Sequence, residues 1–596
     1  MITESELMFQ LGAIMLLAFI AASLASKTSQ SVMIGYIVIG VVIGPNISVT
    51  ILGHEYSGLI RDMSLIQLLS SIGLVMLMFF VGLEFSFSKF KRVKTPAIIL
   101  AVIDTSLGLF VGFMFASYMG WPLIDSLFLA GVISMSSTSI AMKVLFDLKR
   151  MSSPEVEFLI GLVVVETFIA MIILSVASGM IVQPDTDPVG YGQLILGIVA
   201  FYAFFVWIAM WAVPRVVALF SKVDNDELFI LFVLGIVFLT SGLASLMHVP
   251  PIIGAFFVGM ILAESKVTSR IQVKLDSFKD AFVAIFFTSF GMMIDPALFG
   301  KVIWMVLLAI PLVIFYEAFV MSSISFFLGF APRASATIGT SMCGRGVESI
   351  LYASVGSQVK GATMGAQLTP FAGAFCFAMS AITPSLVKHS ARLVGVVGGI
   401  IPKPIRFSAS IVSRTLGKAV MPAGIRIVKG ARTTGVLLAA IVAVCIALLL
   451  IPYPFSIILL AAGTGLLAAA FAVIRVEVRG IVGHVNYSNI GVRRNDHGPI
   501  VNLVTGIVIG AAFSVLLIVF TWSFMWEFSI AIAIAYAAFI CILMTWAHGR
   551  LYVEGADFPR PVYELPSPLL NVAEPLPDIP KPVYGMTKAM PEDIHL

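Results

Sequence analysis

The stretch Ser134-Met-Ser-Ser-Thr-Ser139 sits in the middle of residues 124–146, a run otherwise apolar enough to span a bilayer. Seven spans later, Cys343-Gly-Arg-Gly346 interrupts residues 334–356 in the same way. In hydrocarbon every backbone N–H and C=O needs a partner. A helix is therefore broken at that depth only where the break is buried in protein or lines a watery cavity. Two matched breaks predict an inverted-repeat transporter with an ion site near the membrane midplane.

Composition agrees. Of 596 residues, 59% are hydrophobic and only 11% are charged, too few charges to cover a soluble surface of that size. The fold class is an all-α polytopic membrane protein. Cys343, Cys376, Cys445 and Cys541 lie inside apolar runs with neither metal-ligand spacing nor a disulfide framework. Gly463-Thr-Gly-Leu-Leu-Ala468 matches a dinucleotide fingerprint on paper, but it lies in a span with no strand before it. No cofactor, nucleic acid or enzymatic role is expected. The acidic start, Met-Ile-Thr-Glu-Ser-Glu, does not read as a cleaved signal peptide.

Apolar runs predict about seventeen spans, thirteen within residues 1–390 and four within 433–546. With the N-terminus outside, the inner loops and C-terminal tail hold nearly all of the 36 Lys and Arg, the outer loops hold only Arg61, Lys301 and Lys360, and Arg345 is intramembrane. The C-terminus is then cytoplasmic, residues 85–95 lie inside, and residues 183–190 lie outside. Residues 388–432 are basic, contain no acid and alternate charge with apolar residues. They read either as amphipathic helices on anionic lipid headgroups or as a plain basic linker; the linker domain is set at 391–432. The Pro-rich end, 547–596, reads as a disordered tail.

Charge inside a span is costly, so each instance is a functional candidate. Glu166 lies midway along 155–182, about 16 Å from the helix start. A dehydrated carboxylate there can hold a proton near neutral pH or, ionised, ligate Na⁺ or K⁺. The competing reading is a structural glutamate, protonated and bonded to a neighbouring helix. Glu317 and Arg345 sit at the midpoints of 301–329 and 334–356 and read as a buried ion pair. Ser136, Ser137 and Thr138 stand at the same depth, where hydroxyls and unwound carbonyls could coordinate the cation, although such clusters also serve as packing glue. Glu348, one turn past Arg345, reads as its local partner. Asp104, less than two turns into its helix, reads as facing the cytoplasmic interface. Gly40-x-x-x-Gly44 and Gly108-x-x-x-Gly112 are close-packing signals.

Several of these pieces resemble the Kef/NapA-like cation:proton antiporters over roughly residues 1–390. They are Ile39-Gly-Val-Val-Ile-Gly-Pro45, Phe80-Val-Gly-Leu-Glu84, Ser134-Met-Ser-Ser-Thr-Ser139, Ile253-Gly-Ala-Phe-Phe-Val-Gly259, Ala263-Glu264 and Phe286-Phe-Thr-Ser-Phe-Gly-Met292. The resemblance implies a thirteen-helix fold with two crossing broken helices, and a homodimer whose core moves like an elevator. By position, Glu166 matches that family's ion-binding aspartate, but its polar partner is replaced by Val165. Glu317 falls near where many members carry a Lys, and Arg345-Gly-Val-Glu348 displaces the family's Arg-Gly-Glu acid by one residue. The expected function is Na⁺ or K⁺ exchange for H⁺ at Glu166. With Val165 and Glu317 removing the family's second titrating group, the exchange is expected to be electroneutral unless Glu317 titrates. A gated cation channel and a non-transporting sensor or scaffold are the alternatives.

Overall fold

A computed structural model describes residues 4–27, 32–47, 49–51, 54–84, 95–148, 150, 154–180, 225–246, 251–263, 268–359, 362–420, parts of 433–448, 456–483, 485, 497–522 and 526–552. Among these, nine helices are long and apolar enough to cross a membrane, and four shorter apolar helices join them. The predicted span 191–214, the loops 85–94 and 183–190 and the tail beyond Tyr552 lie outside the described residues. One small antiparallel hairpin, β1 (Val49–Ile51) with β2 (His54–Tyr56), interrupts the helical pattern.

The first helices are α1 (Glu4–Lys27), α2 (Val32–Ile43), α3 (Met63–Glu84), α4 (Thr95–Tyr118) and the pair α5 (Leu123–Ser134) and α6 (Thr138–Asp147). Then come α7 (Pro154–Met180), α8 (Asp226–Leu246), α9 (Pro251–Ala263) and α10 (Thr268–Met293). The run α11 (Phe299–Ile314), a π-helical stretch (Phe315–Met321) and α12 (Ser322–Phe327) forms one apolar rod. A turn at Gly329, whose φ of 101° suits glycine, leads to α13 (Pro332–Met342) and then α14 (Val347–Gln358). Pro332 opens α13 at the first helical position, where its missing N–H costs nothing.

The pairs α5/α6 and α13/α14 are the two predicted interrupted spans. α5 packs along α14 and α6 touches α13, so the two broken helices meet at their interruptions. α4 and α7 flank α5, and α15 (Gly365–Ile400) lies against α13 and α14. A second bundle unites α2, α3, α9 and α10. The predicted glycines make those contacts close: a Cβ on Gly40 would collide with the backbone of Thr288 and Gly291.

The basic segment departs from its expected form. Residues 388–400 are not linker but the continuation of α15. Next comes α16 (Lys403–Val420), whose apolar face is covered by protein rather than lipid: Phe407, Ile411 and Val412 are fully buried. They join the core of α17 (Ser456–Val482), α18 (His497–Trp522) and α19 (Trp526–Leu551). Two hydrogen bonds and one close backbone approach fix the helix. Ser408 donates to the Met544 carbonyl at 2.6 Å, Ser413 donates to the Phe326 carbonyl at 2.5 Å, and Gly417 lies against Gly329. Lys403, Arg406 and Lys418 remain exposed on the other side.

Candidate functional site

Residues 135–137 form the first break. Ser136 and Ser137 favour capping over the helix interior, because their hydroxyls compete for local backbone groups. Ser137 caps α6, its carbonyl accepting from the Ala141 N–H at 3.1 Å. Residues 343–346 form the second break, and the Gly346 carbonyl starts α14 by accepting from Ile350 at 3.0 Å. The breaks touch. The Ser137 N–H donates to the Gly344 carbonyl at 2.8 Å, and Ser349 Oγ donates to the Met135 carbonyl at 3.0 Å. A side chain at Gly346 would strike Ser137, which is why glycine stands there.

Each charged side chain meets the helix ends with the sign that electrostatics favours. Arg345 is fully buried at the negative, carbonyl ends of both leading half-helices. Its Nε donates to the Ile133 carbonyl of α5 at 2.7 Å, and Nη1 donates to the Met342 carbonyl of α13 at 2.5 Å. Nη2 pairs with Glu317 Oε1 at 2.7 Å, the ion pair expected from sequence. Glu166 takes the opposite position, just ahead of the positive end of α6. Its Oε1 accepts the Ser136 N–H at 2.9 Å and its Oε2 accepts the Ser136 hydroxyl. Glu348 stands in the first turn of α14, also at a positive end.

The unwound carbonyls are less available than the sequence suggested. Those of Ile133, Met135, Met342 and Gly344 all accept hydrogen bonds from protein donors. Ser349 and the Ser137 N–H hold those of Met135 and Gly344, and Arg345 holds the other two, its guanidinium offering five N–H groups in a fixed fork, one of which also reaches the Gly344 carbonyl at 3.3 Å. Among the described side chains, the Glu166 carboxylate and the hydroxyls of Ser136 and Ser137 remain toward a cation. Ser137 Oγ is buried without a hydrogen-bond partner. Thr138 opens α6, but its side chain lies outside what the structure describes.

Asp104 is the correction. Helix α4 begins at Thr95, so about 13 Å of helix precedes Asp104, and the residue is 1% exposed rather than interfacial. Its Oδ1 accepts the Tyr316 hydroxyl at 2.7 Å, and its charge interacts with those of Glu166, Glu317 and Arg345. The π-helical stretch explains the contact. Tyr316, Glu317 and Ala318 are all buried in this widened turn. Tyr316 thus reaches Asp104 while Glu317 reaches Arg345. One sequence signal existed, Pro311, which removes a helical N–H just before the distortion.

Crossed broken helices, with a carboxylate on one set of ends and a guanidinium on the other, define a membrane carrier of the inverted-repeat kind. Residues 14–391 match the transmembrane sodium/hydrogen exchanger family, and the chain belongs to it. That family consists of transporters, not enzymes. The chain is 32% identical to the K⁺/H⁺ antiporter subunit KhtU of Bacillus subtilis (strain 168), over 65% of this chain and 94% of that one. It is 28% identical to the putative cation/proton antiporter YbaL of Escherichia coli (strain K12), over 68% and 70%. It is 27% identical to the Na⁺/H⁺-K⁺ antiporter GerN of Bacillus cereus, over 59% and 88%. Among solved structures, the sodium proton antiporter MjNhaP1 of Methanocaldococcus jannaschii aligns with a TM-score of 0.48 at 14% identity, covering 65% of this chain and 98% of that one.

Proposed function

We propose that the chain exchanges a monovalent cation, K⁺ or Na⁺, for H⁺, with Glu166 as the shared site. The observation that carries this reading is the Glu166 carboxylate on Ser136, buried beside the crossing of two broken helices. A protonated Glu166 is neutral and needs no counter-charge. An ionised Glu166 keeps both Ser136 donors and presents its remaining lone pairs, with the hydroxyl of Ser137, to a cation of hard-oxygen preference. One site cannot hold both ligands, so each displaces the other, and neither crosses without the site changing sides. Arg345, locked to Glu317 and to three carbonyls, serves as fixed scaffolding. The relatives support the reading through their names: K⁺/H⁺ for KhtU and Na⁺/H⁺-K⁺ for GerN.

The Glu166 site by itself swaps one cation for one proton and moves no net charge. Asp104 stands outside that count. We further place the protein in the cell membrane as a homodimer, N-terminus outside and C-terminus cytoplasmic, with Lys403, Arg406 and Lys418 toward anionic headgroups. The test is cation-dependent proton movement in proteoliposomes, scanning Li⁺, Na⁺, K⁺ and Rb⁺. Proton movement that follows an added cation supports antiport. Cation conductance without proton exchange would point to a channel, and no flux to a sensor or scaffold.

A further inference from the structure

We propose that Asp104, held by Tyr316, is a second proton-binding site of the carrier, so that two protons are exchanged for each monovalent cation. The proposal rests on the reading of Glu166 above and adds a residue that reading does not use.

Three observations carry it. The first is hydrogen bonding. Asp104 has one donor, the Tyr316 hydroxyl on Oδ1, while its Oδ2 is buried without a partner. An ionised carboxylate only accepts, and burying one with a single donor is costly. A proton on Oδ2 removes that charge. The second is charge balance. The groups facing Asp104 are Glu166 from α7, Tyr316 and Glu317 from the π-helical stretch, and Cys343 and Arg345 from the second break. Among Asp104, Glu166, Glu317 and Arg345 there are three carboxylates and one guanidinium. Arg345 and Glu317 neutralise each other, which leaves Asp104 and Glu166 without a fixed counter-charge.

The third is construction. Gly108 lies one turn from Asp104 on the same face of α4. A Cβ there would come within 2.6 Å of Tyr316 Oη and 2.5 Å of Ser134 Oγ. The missing side chain lets the Tyr316 hydroxyl reach Asp104 beside the first break.

Coupling follows from proximity. Each ionised carboxylate opposes ionisation of the other, and a cation between them relieves both. A cation ligated by Glu166 and Asp104 together therefore displaces both protons. With both protons bound, the two carboxyls are neutral. With the cation bound, two negative charges face one positive, so the site carries a net charge of one. Two protons travel against one cation, and one unit of charge crosses the membrane per cycle.

The experiment counts protons. Purified protein in weakly buffered detergent is titrated with Na⁺ or K⁺, and proton release per bound cation is read from a pH dye. Wild type should release two, Asp104→Asn one, and Glu166→Gln none. Independently, wild-type flux in proteoliposomes held at zero potential should stop when a tenfold proton gradient faces about a hundredfold cation gradient, rather than about tenfold. Release of one proton by wild type, release of two by Asp104→Asn, or a tenfold balance point would each overturn the proposal and leave Glu166 standing. Release from Glu166→Gln equal to wild type would instead overturn the reading of Glu166. A tenfold wild-type balance point overturns the proposal even if Asp104→Asn fails to fold.

Discussion

At the scale of residues, the site separates chemistry from support. Glu166→Gln keeps the size and the Ser136 hydrogen bonds but cannot ionise. The expected outcome is a folded protein with exchange at background level, checked by cation-driven ΔpH in proteoliposomes; wild-type rates would sink the mechanism. Arg345 and Glu317 predict a different signature. Removing Glu317 leaves a buried cation unpaired, a loss of about 3–5 kcal/mol. Removing Arg345 strips the same pair and also uncaps the Ile133 and Met342 carbonyls at two helix ends. Arg345→Ala should therefore lower the melting temperature in detergent more than Glu317→Ala does. Equal shifts would mean that the carbonyl contacts contribute nothing. Glu166, Glu317 and Arg345 were legible as lone charges in apolar runs. Asp104 was not, because its burial comes from Tyr316 and the helices packed around α4, which spacing along the chain does not show.

At the scale of elements, the sequence showed that two spans were broken but not how the breaks would be satisfied. Periodicity carries no information about a π-helical turn, since one extra residue in a turn leaves an apolar run apolar. The partner of Asp104 was hidden as well, because an apolar run does not say which of its residues faces α4. Gly108 tests the packing of α4 on α5. Gly108→Val should push Tyr316 off Asp104, and the expected readout is a lowered melting temperature that Gly235→Val does not reproduce. A Cβ on Gly235 meets nothing within 4 Å. Equal effects of the two variants would show that no close contact exists at Gly108. The basic segment misled for a related reason. An amphipathic helix shows one apolar face in sequence, and a lipid surface and a protein groove both satisfy it.

At the scale of the whole molecule, alternating loop charge organised the helices into a membrane protein before any contact was known. It predicts a sidedness that can be probed. Single cysteines at Lys301 and Lys403, in a cysteine-free background, should react with an impermeant reagent from opposite sides. Labelling of both from one side would refute the orientation. What loop charge could not reveal was the join between the two halves. The match to the exchanger family stops at residue 391, inside a helix that runs unbroken to Ile400. The chain then folds back so that α16 rests on α12.

That join has a consequence for a chain still being made. The seat for α16 is the Phe326 carbonyl and the turn at Gly329, on the hairpin that leads into the second broken helix. Ser413, which fills it, is 87 residues further along, roughly 4–17 s later at ordinary rates of synthesis. Throughout that interval the hairpin is inserted but uncovered, with Phe327 lacking the core it later joins. The newborn carrier thus has a waiting period in which its own exposed groove can meet a quality-control factor or a second nascent chain. Ribosome-released chains that end after Ile400 would remain in that state, and should be cleared faster in pulse-chase than the full chain.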